Sequence, residues 1–242
     1  MSPMTQESSI AAELRDDILR GRYRSGERLP SERDLAERFG VHRSTVRGAV
    51  KHLEQLGIAD VRPGGARVCP IEEASLDVLE HMLALQEPPD PELLDQTLEA
   101  MSGFLAHAAR LGTERSSGEQ QQQLLSILDE MIKSGCSGPR RGELFAALSE
   151  GLSSASGNPV LKLMRNGLRT RYSDYVLPNP AAMSVPSEAI EPFLIRLREA
   201  IESRSGAEAS DALYHATTLI RGAIRSALEA DPARNASAGA VR

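Results

Sequence analysis

Apolar residues recur at helical spacing along most of this chain. Three such patterns follow one another at the start: Ile10, Leu14, Ile18 and Leu19, then Leu35 and Phe39, then Val46, Ala49, Val50 and Leu53. Ser31 stands where it would cap the second helix, and Glu32 and Asp34 complement the positive end of that helix. Gly40 supplies the left-handed backbone of a tight turn before the third helix, which Gly57 ends. The stretch "IADVRPGGARV" then changes period: two short extended runs flank Pro63, Gly64 and Gly65, the pattern of a β-hairpin. Three helices followed by a hairpin predict a winged helix-turn-helix over residues 1–69.

Pro70 stops the wing strand and opens a linker over 70–75. Beyond it the alternation of strands is almost absent. Helical periodicity runs over 75–86, 91–112, 118–134, 141–155, 159–176, 187–204 and 207–229, broken by "EPPDP", "GTERSSG", "GCSGPR", "SGNP", "LPNP" and "SRSGA". The expected fold is therefore mainly α: the winged helix with its small hairpin, then an all-α bundle over 76–230. Residues 231–242 lack apolar periodicity and read as a disordered tail.

Charge sharpens this division. The chain of 242 residues carries a formal charge of -6, yet residues 1–70 hold 12 Lys and Arg against 10 Asp and Glu. Between Glu37 and Glu54 there is no acidic residue, while Arg43, Arg47 and Lys51 mark the third helix. A basic front on an acidic body suits contact with nucleic acid. With no Trp and only four each of Tyr and Phe, base stacking on single strands is disfavoured, which leaves double-stranded DNA. Cys69 and Cys136 have neither disulfide-framework nor zinc spacing, so a reducing cytoplasm without metal or cofactor is expected. No apolar run is long enough to span a bilayer, and no signal peptide is legible, so no membrane partner is expected.

In a helix-turn-helix the second helix enters the major groove by its N-terminal end. Here that end holds His42, Arg43, Ser44, Thr45 and Arg47. Arginine can donate two bonds to guanine, hydroxyls reach phosphates, and free helix amides attract phosphate. His42 is either a reader of DNA or simply the cap of the helix. Arg33, one turn into the preceding helix, can clamp the backbone, and Gly64 and Gly65 let the wing approach a groove closely. One recognition helix reads only a few base pairs, so a homodimer on a short palindromic operator is expected.

The run "LRDDILRGRYRSGERLPSERDLAERFGVHRSTVRGAVKHLEQLGIADVRPGGARV" resembles the N-terminal domain of the GntR family of bacterial transcription factors. The helical remainder is similar to its FadR-type branch, whose bundles bind effectors. "LDVLEHMLAL", "GLSSASGNPVLKLMRNGLRTRY" and "PNPAA" carry that similarity over most of residues 75–182. Many members hold a metal through an Asp and three His. The resemblance puts Phe145, Ser149 and Leu194 at three of those positions and His215 near the fourth, so it implies no metal site here.

For the fatty-acid-responsive members the resemblance implies a long-chain acyl-CoA effector that releases DNA. Its contacts fall on Thr97, Leu98, Met101, Phe104, Tyr214 and Thr218. Periodicity alone would read Leu98, Met101 and Phe104 as core, so only the resemblance makes them ligand candidates. Met101 departs from an arginine in the family, His215 from a glycine, His42 from a threonine and Pro63 from the wing histidine. Arg33, Arg43, Ser44, Thr45, Arg47 and Gly64 match in type. The expected protein is a transcription regulator of fatty-acid metabolism genes. The alternatives are a regulator answering to a different small carboxylate, or a helical enzyme that binds acyl-CoA, for which no catalytic constellation is legible.

Overall fold

In the computed structural model of the protein, residues 5–86, 89–133, 138–176 and 185–229 are described, with side chains omitted at 168–176 and 228–229. The expected tail at 231–242 and the "PNPAA" loop lie outside them. Ten α-helices and one hairpin are described, in two compact units, Met1–Asp90 and Pro91–Arg242.

The first unit opens with α1 (Gln6–Leu19), α2 (Glu32–Phe39) and α3 (Arg43–Gln55). Strands β1 (Ala59–Arg62) and β2 (Gly65–Val68) follow, pairing antiparallel from Ala59 opposite Val68 to Arg62 opposite Gly65. Its core holds most of the predicted set: Leu14, Leu35, Val46, Ala49 and Leu53 are almost wholly buried, Ile58 joins them from the start of the hairpin stretch, and Leu19 and Phe39 are half-buried against them. Ser31 caps α2 by accepting a bond from the Asp34 amide at 3.2 Å, and its hydroxyl donates to Asp34 Oδ2 at 2.7 Å. Gly40 has φ +64 and donates back to the carbonyls of Ala36 and Glu37, which makes the turn between α2 and α3 tight.

Two features of this unit differ from expectation. Residues 27–29, outside every predicted element, lie along β2 as a third extended segment: Val68 N–H donates to Glu27 O at 2.9 Å, and Leu29 N–H to Ala66 O at 3.0 Å. The expected linker forms a 3-10 turn (Ile71–Glu73) leading to α4 (Val78–Ala84), and α4 packs on the first unit. Val78 enters its core and Met82 packs against it. Sequence placed this helix in the bundle, because apolar spacing says that a face is buried without saying against what.

The second unit contains α5 (Pro91–Arg115), α6 (Gly118–Lys133), α7 (Gly138–Ala155), α8 (Pro159–Val176), α9 (Ser187–Glu202) and α10 (Gly206–Glu229). Helix α5 packs against α10 and α7, and α9 against α10 and α6. Leu124, Leu128, Leu148, Leu152, Leu197 and Ile201 form the dry centre. At the crossing of α5 and α7, Gly112 is pressed on the main chain of Leu152; a methyl group there would lie 2.5 Å from the Leu152 carbonyl oxygen. Across α5 and α10, Arg221 grips Asp95 with two bonds of 2.7 Å and reaches Glu99 at 3.2 Å.

Candidate nucleic-acid interface

The charged groups of the first unit fall into two sets. On one side, arginines are neutralised internally. Arg38 donates to Glu13 at 2.6 Å and Asp17 at 3.5 Å, and Arg22 donates to the other oxygen of Asp17 at 2.7 Å. The second set surrounds a cleft of about 410 Å3 between α2, α3 and the wing. Arg33, Arg43, Arg62, Gly64 and Gly65 line it, with the apolar floor supplied by Leu35, Val50 and Ala66.

Four of the predicted residues thus meet at one place: Arg33 and Arg43 from the helices, Gly64 and Gly65 from the wing. Arg43 begins α3 and is exposed, and among the described residues no carboxylate lies within ion-pair range of it. Arg33 is also exposed, with only a long 3.5 Å approach to Asp34. Gly64 and Gly65 have φ of +106 and +128, values that few other residues adopt, so glycine is required to turn this hairpin. Arg62, which sequence reasoning passed over, brings one more cation to the cleft, tied to Asp60 at 2.5 Å. Its place at the end of β1 beside the turn was the signal.

His42, Ser44, Thr45 and Arg47 stand on the same helix end outside the cleft lining. His42 occupies the cap position with extended backbone, but its side chain makes no capping bond, which removes the capping reading and leaves the imidazole exposed. Ser44 is exposed and Thr45 half-buried. Arg47 is engaged: its Nε donates to Glu32 Oε1 at 3.0 Å and its Nη2 to Oε2 at 2.8 Å. That hydrogen-bonded guanidinium holds the Glu32 carboxyl below its ordinary 4.5, with Arg43 adding a smaller Coulombic pull. A carboxylate gripped by two parallel N–H bonds has the geometry that a DNA phosphate would offer.

Family models match both halves of the chain: "Bacterial regulatory proteins, gntR family" over residues 6–68 and "FCD domain" over 96–218. The chain belongs to the GntR family. It is a DNA-binding transcription regulator, and the cleft lies in its DNA-binding module. A "Fatty acid metabolism regulator protein" of Cronobacter sakazakii is 30% identical over 183 residues, covering 70% of this chain and 72% of that one. Its namesake in Yersinia enterocolitica is 31% identical, covering 69% and 70%. A solved structure described as "Lar controls the expression of the Listeria monocytogenes agr system and mediates virulence" shares the fold, with TM-score 0.55 and 16% identity over 93% of this chain and 98% of that one.

The residues tied to an effector lie on α5 and α10, which pack together. Thr97, Leu98 and Met101 are buried and Phe104 is half-buried against the core, whereas Tyr214 and Thr218 are exposed. The Thr97 hydroxyl donates to Leu93 O at 2.7 Å and that of Thr218 to Tyr214 O at 2.8 Å, so each is satisfied by its own helix. His215 stacks on Phe193 with ring centroids 5.9 Å apart. Phe145 and Leu194, at the family's metal positions, pack with the apolar core. Among the described residues no group of three metal-ligating side chains occurs and no helix is long and apolar enough to cross a membrane.

Proposed function

We propose that this regulator binds a short palindromic operator as a homodimer in the cytoplasm, controls fatty-acid metabolism genes, and is released from DNA by a long-chain acyl-CoA. The DNA half is carried by one observation: unpaired Arg43 faces Arg33 and the wing glycines across a single cleft. The effector half rests on the name shared by the relatives and on the position of the ligand candidates along α5 and α10. Residues 1–69 supply the DNA contacts through Arg33, His42, Arg43, Ser44, Thr45, Arg47, Gly64 and Gly65. Thr97, Leu98, Met101 and Phe104, with Tyr214 and Thr218, contact the effector, whose acyl chain takes the apolar side chains.

Release requires that the effector bind the DNA-incompetent conformation more tightly, by a coupling of about 1–3 kcal/mol. The test is fluorescence anisotropy on the promoter beside the protein's own gene, titrated with palmitoyl-CoA and, separately, free CoA. Release by palmitoyl-CoA alone supports the reading. DNA binding that ignores both ligands leaves a regulator and removes the acyl-CoA effector.

A further inference from the structure

The two wing glycines do more than turn a hairpin. Leu29 is buried in the core, and Arg28, next to it on the extended segment along β2, projects to the opposite side and is exposed. Its backbone is fixed by a bridge to Arg67. From there its guanidinium runs beneath the wing tip. A methyl group on Gly64 would lie 3.1 Å from Arg28 Nη2, and one on Gly65 would lie 3.1 Å from Nε and 3.4 Å from Nη2. A side chain on either glycine would have to push this cation aside by a few tenths of an ångström, so the bare tip lets it lie close to the main chain.

Its electrostatic state separates it from its neighbours. Arg22, Arg38, Arg47 and Arg62 are each bound to a carboxylate of the same unit. Arg67 spends a donor on Gly26 O at 2.9 Å. No ion pair or hydrogen bond engages the Arg28 side chain among the described residues, so its full charge and its N–H donors face water beside a wing whose main chain is bare. An unneutralised guanidinium that rises from a fixed backbone and lies beside exposed glycines is suited to a phosphate oxygen. Pro63 precedes the glycines and offers the wing neither charge nor an N–H, and the nearby Arg62 is already bound to Asp60.

We propose that Arg28 is a further DNA-contacting residue, the cation through which the wing grips one backbone phosphate. The proposal rests on DNA binding by the first unit and is independent of the operator sequence, because a phosphate contact carries no sequence information. Each neutralised phosphate contributes about 0.9 to the slope of log affinity against log salt.

The experiment measures anisotropy of the full chain on a random-sequence duplex and on its own promoter, from roughly 50 to 200 mM salt. Arg28→Ala is expected to weaken binding on both duplexes by the same factor and to lower the salt slope by about 1, so that the wild-type advantage shrinks roughly threefold across that range. Arg28→Lys keeps the charge and is expected to keep the slope, which separates loss of a phosphate contact from a mispacked wing. An Arg28→Ala protein with wild-type slope and affinity overturns the proposal. So does a loss confined to the promoter, which would mark base reading, or a lysine variant as impaired as the alanine. If the wild-type chain binds neither duplex, the reading of the first unit fails and this proposal with it, a result distinct from the variant-specific outcomes.

Discussion

Replacing Glu32 with Gln should tighten DNA binding. The carboxylate holds Arg47 through bonds of 3.0 and 2.8 Å, and those bonds must open before the same Nε and Nη2 edge can grip a phosphate. Arg47 remains 72% exposed and Glu32 38%, so water and salt already weaken the pair. Exposed pairs of this kind shift an equilibrium by at most about fivefold. The expected gain is therefore between about two- and fivefold at low salt, fading as ionic strength rises. Mild acid cannot imitate the substitution, since Arg47 holds the Glu32 carboxyl below 4.5. The assay is anisotropy on a random-sequence duplex, with far-UV circular dichroism to check α2, whose cap at Ser31 remains in place. A double-mutant cycle with Arg47→Ala apportions the effect: a gain that disappears without Arg47 came from freeing it, and one that persists came from removing a charge that repels phosphate. Weaker binding by Glu32→Gln with α2 intact would refute the reasoning, because the carboxylate would then be orienting Arg47 for DNA.

Three further outcomes follow from the packing. Gly112→Ala sets helix propensity, worth about 1 kcal/mol in favour of alanine, against overpacking of about 1–3 kcal/mol or more. With the new methyl 2.5 Å from the Leu152 carbonyl, rigid main chain is what must yield, so urea melts should show net destabilisation; a more stable variant would disprove the close approach. Asp95→Asn removes a charge-assisted clamp between α5 and α10 whose side chains are only 15% and 21% exposed, and should cost about 1.5–3 kcal/mol in the same melts. Arg221 lowers the Asp95 carboxyl from 3.8, so the clamp contributes in full above that value and is lost as pH falls through the depressed one; the variant should show less acid sensitivity there than wild type. Ser31→Ala should lower thermal stability of the first unit by about 1 kcal/mol through loss of the α2 cap, with Ser31→Gly milder.

What could be read from sequence was whatever local chemistry decides. Ser31, Gly40 and the Pro63–Gly65 turn act on their immediate neighbours, and each does in the structure what its residue type demands. Helix limits in the second unit agree closely for the same reason: 118–134 is observed as Gly118–Lys133, and 159–176 as Pro159–Val176. Pairings across distance were not legible. Glu32 and Arg47 are 15 residues apart, and nothing in either helix pattern says that the turn at Gly40 will bring them together. Arg28 lay outside every predicted element, since its place depends on a third extended segment with no hydrophobic alternation of its own. The assignment of α4 failed on the same ground.

Net charge is a poor guide to this surface, and the ion pairs show why. The first seventy residues carry only a small excess of cations, too few to explain a DNA-binding face by composition. What creates the face is the distribution of carboxylates. Glu13 and Asp17 on α1 take up Arg38 and Arg22 on one side, while α3 carries no acid before Glu54. Arg28 and Arg43 are thereby left with no carboxylate in ion-pair range, and Arg47 is held by a partner that phosphate can replace. An arrangement with the same composition but with Asp17 moved onto α3 would keep the charge of the unit and lose its binding face. The spacing between acids, more than the number of bases, is what adapts this fold to DNA.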